Sequence, residues 1–170
     1  EVNFLEGMID NLLLSDRLSM PYSKLDFKPV TCLEFINKIL GLFPIKREKI
    51  EILNTIPDEK FIIDETKFMV AIRNLIDNAI KYSAGENIIF EIKKNKSIEF
   101  HIKDLGLGIS NKDIKKITEP FFQAEQTVTT KGFGLGLTIC KKIVESHEGT
   151  LDINSNIGKG SIFSIYLPIK

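Results

Sequence analysis

Apolar and polar positions along this chain follow two periods. The clearest helical stretch is 67–83, where Phe68, Ile72, Leu75, Ile76 and Ala79 recur at steps of three and four. That spacing places them in one stripe and predicts a helix packed on a core. Asn74, Asn78 and Lys81 recur at similar steps and form a second stripe beside it. Two amides one turn apart, followed by Lys81 and Tyr82, suit a face aimed at a ligand. An amide oxygen is a neutral ligand for a hard cation such as magnesium. A solvated helix face that happens to carry Asn is the plain alternative.

Three further stretches read as helices. Residues 2–20 carry Val2, Leu5, Ile9 and Leu12 in a seam about two heptads long, ended by Pro21. Residues 31–43 form an amphipathic helix, with Thr31 and Glu34 spaced as a capping box and Gly41 and Pro44 as stops. Residues 137–146 turn Ile139, Cys140, Ile143 and Val144 inward. A short polar helix is expected at 111–117.

Alternation of apolar and polar residues predicts strands at 87–94 and 97–103, joined by a two-residue turn at Asn95-Lys96. Two more close the chain, near 149–154 and 161–167, with the Gly158-Lys-Gly160 turn between them. Residues 50–55 and 60–63 are strand-like and linked by a turn at Pro57-Asp58. Asp64 then caps the central helix. Residues 21–29 read as a linker into a short edge strand containing Pro29. The aperiodic segment 118–136 is longer than connections in compact domains usually are, which marks it as functional or disordered.

Composition narrows the class. The chain has 170 residues, enough for one domain with a core. Hydrophobic residues make up 43% and charged ones 27%, which is globular rather than disordered. Lys plus Arg equals Asp plus Glu at 23 each, so no basic field argues for nucleic acid. No apolar run approaches the roughly 20 residues of a membrane span. The start has no signal-peptide pattern and no initiating Met, so the chain is expected to be part of something longer. Cys32 and Cys140 lie in apolar helical patterns without metal-ligand spacing and read as buried free thiols.

Three motifs follow the central helix. Asp104-x-Gly106-x-Gly108 ends a strand. An Asp there can accept a hydrogen bond from an exocyclic amine while the glycines let the backbone turn around a flat ring. Glu119-Pro120-Phe121-Phe122 opens the long loop and reads as its anchor. Gly132-Phe-Gly134-Leu-Gly136-Leu137 opens a helix. Glycines just before a helix leave its N–H groups open to phosphate. No Lys-Ser/Thr follows, so this is not a Walker A loop, and no strand directly precedes it, so it is not a dinucleotide fingerprint.

The order of these motifs resembles the catalytic ATP-binding domain of bacterial sensor histidine kinases. That domain is part of the GHKL group, with type II topoisomerases, HSP90 chaperones and mismatch-repair ATPases. The resemblance covers about 25–168 and extends to His147-Glu-Gly149, Gly158-x-Gly160-Ser-x-Phe163 and Leu167-Pro168. It implies an α/β fold: a two-layer sandwich of the Bergerat type, a mixed sheet covered on one face by helices, over 22–170. Residues 1–21 are similar to the end of the dimerisation and phosphoacceptor helix hairpin.

The resemblance also implies roles. Asn78 coordinates Mg2+, assisted by Asn74. Lys81 and Tyr82 approach the phosphates and sugar. Asp104 reads the adenine amine in a pocket shaped by Gly106, Gly108 and Ile109. Residues 109–131 form a lid fastened by Phe121 and Phe122. Gly132, Gly134, Gly136 and Leu137 hold the phosphates, and Phe121, Lys131, Phe133 and Leu135 also belong to the ATP site. The cofactors implied are ATP and Mg2+. The partners are the chain's own dimerisation domain, in a homodimer, and a response regulator, with no nucleic acid. The location implied is the cytoplasmic side of an inner-membrane sensor.

Position 74 separates the activities within the group. The related ATPases carry a Glu there that activates water, whereas Asn74 cannot take a proton. A histidine nucleophile has its own lone pair, so Asn74 favours transfer to histidine over hydrolysis. Neither His101, on a strand, nor His147, before Gly149, has the setting of an acceptor. Two positions depart from the family's pattern: Gln123 stands where Arg is frequent, and Phe133 where a small residue is frequent. The alternatives are a degenerate nucleotide-binding module, an ATPase of the group, or a serine kinase of the anti-sigma type.

Overall fold

In the computed structural model, residues 24–124 and 133–169 are described. The predicted helix at 2–20, and Lys131 and Gly132 of the glycine run, lie outside them. The elements run β1 (Lys28–Thr31), α1 (Cys32–Gly41), a 3-10 turn (Arg47–Lys49), β2 (Ile50–Asn54), β3 (Lys60–Ile63), α2 (Glu65–Tyr82), β4 (Ile88–Lys94) and β5 (Ile98–Asp104). They continue with α3 (Asn111–Ile114), α4 (Gly136–Ser146), β6 (Thr150–Ser155) and β7 (Ser161–Leu167).

The main sheet has five strands in the order β2-β4-β5-β7-β6. β2 pairs with β4 in parallel, and the other neighbours are antiparallel. β1 and β3 form a separate antiparallel pair. Strand alternation puts Ile88, Phe90, Ile92, Ile98, Phe100, Ile102, Phe163 and Ile165 on one buried face. Helices cover that face, so the mixed sheet and one-sided helical layer are as expected.

Four phenyl rings tie the layers together. Phe100 of β5 packs edge-on against Phe35 of α1, Phe61 of β3 and Phe68 of α2, with centroids 6.0, 5.4 and 5.1 Å away. Each ring buried this completely contributes about 1.5–3 kcal/mol of transfer free energy. The same cluster fixes the roll of α2: its apolar stripe faces Phe100, and its other side is left for other work. Asp64 starts the helix as expected, its carboxylate accepting the Lys67 backbone N–H at 3.1 Å.

Several local expectations need correction. Thr31 precedes α1 but makes no side-chain cap. Its backbone is already committed to pairing with Lys60. The β4–β5 connection has three residues, not two, because Lys94 pairs with Ile98 and the Asn95 N–H bonds the Ser97 carbonyl. The short polar helix stops at Ile114 and continues as turns. The two strand-like stretches at 50–55 and 60–63 belong to different sheets. Cys32 and Cys140 are buried and unpaired, as expected. Burial pushes the Cys32 thiol up to about 11 and the Cys140 thiol higher still. Among the described residues, no helix is long and apolar enough to cross a membrane.

Candidate functional site

The side of α2 turned away from the phenyl cluster opens a cavity of about 330 Å³. Asp77, Asn78, Lys81 and Tyr82 line it from the helix. Asp104, the last residue of β5, and its ladder partner Ser161 on β7 line it from the sheet. Gly134 and Gly136 enter from the start of α4. Ile109, Ile117, Phe122, Phe133, Leu137 and Phe163 supply apolar walls. An apolar slot with few convergent polar groups is the usual form of a site for a flat organic ligand.

Asp104 is 3% exposed. Its Oδ1 accepts the Gly106 N–H at 2.9 Å. Burial pushes its carboxyl above the ordinary range, opposed by hydrogen bonds from the Gly106 backbone and from the Ser161 backbone and hydroxyl. A carboxylate held in that balance gains from one more donor. The turn after Asp104 is close-packed. A Cβ on Gly106 would lie 1.7 Å from the Tyr82 carbonyl oxygen. The Leu107 N–H bonds that same carbonyl at 3.3 Å. The glycine therefore locks the end of α2 to the end of β5.

Gly136 differs. A Cβ there would meet nothing closer than the Asn74 side chain at 3.6 Å. Packing does not require glycine at this position, which lines the cavity. The Asn74 Nδ2 donates to the Gly136 carbonyl at 3.4 Å. Lys81 sits with its ammonium 4.8 Å from the centre of the Tyr82 ring. The Phe121 N–H donates to the Gly134 carbonyl at 3.0 Å, joining the two ends of the segment between them.

Of the residues picked from sequence, Asn78, Lys81, Tyr82, Asp104, Gly108, Ile109, Phe133, Gly134, Gly136 and Leu137 line the cavity. Asn74, Gly106, Phe121 and Leu135 do not. Asn74 sits one turn back, engaged with Gly136. Gly106 is turned against Tyr82. Leu135 is buried in the core. Phe121 has a φ of 64° and is 57% exposed, so its neighbour Phe122 supplies the ring that enters the site. Lys131 and Gly132 fall outside the described residues.

Sequence reasoning did not assign Asp77, Leu107, Ser161 or Phe163 to the site, although all four line the cavity. The signal for Ser161 and Phe163 was present in their two-residue spacing after Gly160, but their register against Asp104 is a tertiary fact. Gln123, noted for its departure from the family's Arg, also lines the cavity.

Neither histidine enters the site. His147 is 2% exposed; its Nε2 accepts the Asp64 N–H at 3.0 Å and its Nδ1 donates to the Ile143 carbonyl at 2.7 Å. It clamps the end of α4 to the start of α2. His101 lies on the other face of the sheet, between Ser164 and Glu99.

Among the described residues, no group of three or more His, Cys, Asp or Glu converges as a metal cage. The Asn78 amide and the Asp77 carboxylate beside it are hard oxygen donors that α2 brings to the wall. That sparse set fits magnesium, which keeps most of its waters and binds through one or two protein oxygens and substrate phosphates.

The family of histidine kinase-, DNA gyrase B- and HSP90-like ATPases matches residues 63–170, which hold the whole cavity. The chain belongs to that family. Within it, the similar proteins are sensor kinases. Sensor histidine kinase WalK of Bacillus subtilis is 33% identical over 174 residues, covering 93% of this chain. Adaptive-response sensory kinase SasA of Gloeothece citriformis is 32% identical over 92% of the chain. The chain spans only 28% and 40% of the lengths of these relatives. The mycobacterial sensor histidine kinase MprB structure superposes with a TM-score of 0.71 at 29% identity, covering 84% of this chain and 97% of that one. The full-length ShkA structure, solved with AMPPNP, shares the fold at a TM-score of 0.83 and 24% identity, covering 97% of this chain and 36% of that one. This is the catalytic domain type of the sensor histidine kinases.

Proposed function

We propose that this domain binds ATP and transfers its γ-phosphate to a histidine on a dimerisation helix hairpin of the same protein. One cavity carries the reading. It joins an amine acceptor, Asp104, to a glycine-lined helix start and an Asn-Lys-Tyr helix face.

Asp104 accepts the adenine amine, and the apolar walls hold the ring. Gly134 and Gly136 admit the phosphates to the first N–H groups of α4, where the helix field favours anions. Lys81 neutralises phosphate charge, and Tyr82 borders the sugar. Asn78 offers its amide oxygen to magnesium, which supplies charge neutralisation across the phosphate oxygens when bound. Asn74 holds the Gly136 carbonyl and contributes no base, so water is not activated. Phosphoryl transfer needs positioning and charge neutralisation more than covalent help. These residues provide both, and the acceptor imidazole provides the nucleophile.

The same reading puts the domain on the cytoplasmic side of an inner-membrane sensor. It acts in a homodimer and passes phosphate to a response regulator. The test is transfer in trans. An acceptor hairpin carrying a His-Glu or His-Asp pair is mixed with this chain, magnesium and labelled ATP. Acid-labile, base-stable label is expected on the hairpin and not on this chain, because His147 is buried and His101 lies on the other face of the sheet. Asn78→Ala should remove it. Label on a serine, or none with the hairpins of similar kinases, would count against the reading.

A further inference from the structure

Ser155 lies outside the cavity, yet its hydroxyl meets three groups from two separate parts of the chain around it. It is the last residue of β6 and is 5% exposed. Its Oγ accepts the Ile109 N–H at 2.8 Å, donates to the Gly160 carbonyl at 2.9 Å, and lies 2.9 Å from the Ser161 Oγ. Ser161 in turn stands opposite Asp104 in the ladder and lines the cavity. Ile109 begins the segment that forms another wall.

Hydrogen counting makes this more than packing. A hydroxyl has one hydrogen and two lone pairs. The Ile109 N–H can only donate, and the Gly160 carbonyl can only accept. When Ser155 gives its hydrogen to Gly160, Ser161 must donate to Ser155 and turns a lone pair toward Asp104. When Ser161 donates to Asp104, the Ser155–Ser161 bond persists only if Ser155 donates to Ser161 and releases Gly160. An ionised Asp104 selects the second pattern. The hydroxyl pair therefore couples the state of the carboxylate to the backbone at Gly160 and Ile109.

We propose that Ser155 is a positioning residue for base recognition: through Ser161 it orients the Asp104 carboxylate for an exocyclic amine, and through Ile109 it holds the adjoining wall at that spacing. The inference rests on the assignment of Asp104 as the amine acceptor. Its signature is selective. Loss of the Ser155 hydroxyl weakens a ligand carrying the amine and spares one that lacks it.

The experiment compares ATP with inosine triphosphate, which carries a carbonyl in place of the amine, by competition against a fluorescent nucleotide on this chain. Ser155→Ala should weaken ATP by about tenfold while inosine triphosphate changes by less than about twofold. Ser155→Thr, which keeps the hydroxyl, should restore the preference. Equal weakening of both nucleotides, or an unchanged ratio, overturns the proposal. If Ser155→Ala does not fold, Ser155→Cys, a weaker donor, must still lower the ratio. A parent chain that prefers ATP while Ser155→Ala keeps the same ratio sinks this inference alone. A parent chain that binds both equally sinks the Asp104 assignment with it.

Discussion

Asp104 is placed where its charge is costly and useful at once. Because burial raises its proton affinity in the folded chain above the ordinary value near 3.8, the folded state binds that proton more tightly than the unfolded state. The free domain therefore loses some stability as pH rises through the ordinary and then the raised value. Amine recognition needs the ionised form, so ATP affinity should hold at neutral pH. It should start to fall, on acidification, above the range of an ordinary carboxylate. Asp104→Asn should melt no lower than the parent without nucleotide yet bind ATP at least about tenfold more weakly. Calorimetry and a pH series of binding isotherms read both. The glycines divide in the same way. Gly106→Ala drives a methyl into the Tyr82 carbonyl and should cost about 1–3 kcal/mol in denaturant unfolding. Gly136→Ala meets no such contact, its methyl lying in ordinary range of the Asn74 side chain, and should keep its stability. The sequence showed both glycines in motifs but not which one the fold itself demands, because that depends on the Tyr82 carbonyl arriving from another element.

Among the elements, α2 carries both layers of the design. Its apolar stripe docks on the phenyl cluster, and that docking aims Asn78 and Lys81 at the cavity. Periodicity alone made both stripes legible. Its cap is the acid-sensitive point. Burial works to raise the Asp64 carboxyl, but the Lys67 side chain and the Lys67 and Asp26 backbone N–H groups outweigh it and hold the carboxyl below its ordinary value. The unfolded chain then binds this proton more tightly than the folded one. The stabilisation is present above the ordinary value near 3.8 and is lost as pH falls through the lowered one. Asp64→Ala should cost about 1–2 kcal/mol at neutral pH, and the difference from the parent should shrink in acid. Strands were legible where alternation was strict, as in β4, β5 and β7. Their pairing was not: β2 joins β4 in parallel and β3 leaves for β1, since ladder partners far apart leave no local pattern. The absent Thr31 cap has the same origin, a backbone claimed by a distant strand.

For the whole molecule, the motif order carried the family, and the fold brought most of the picked residues around one cavity. What escaped was which side of each residue faces inward. Phe121 and Asn74 sit in the right motifs but turn elsewhere, while Ser161, Asp77 and Leu107 reach the site through register and helix phase. On the proposed function the domain holds ATP ready for a histidine of another segment: Asn at position 74 provides no base for water, and both histidines of the described fold are engaged elsewhere. Following the γ-phosphate of labelled ATP on the purified chain with magnesium tests it most directly. Nucleotide retained, with almost no free phosphate until an acceptor hairpin is added, is the expected result. Steady phosphate release from the chain alone, abolished by Asp104→Ala, would contradict it.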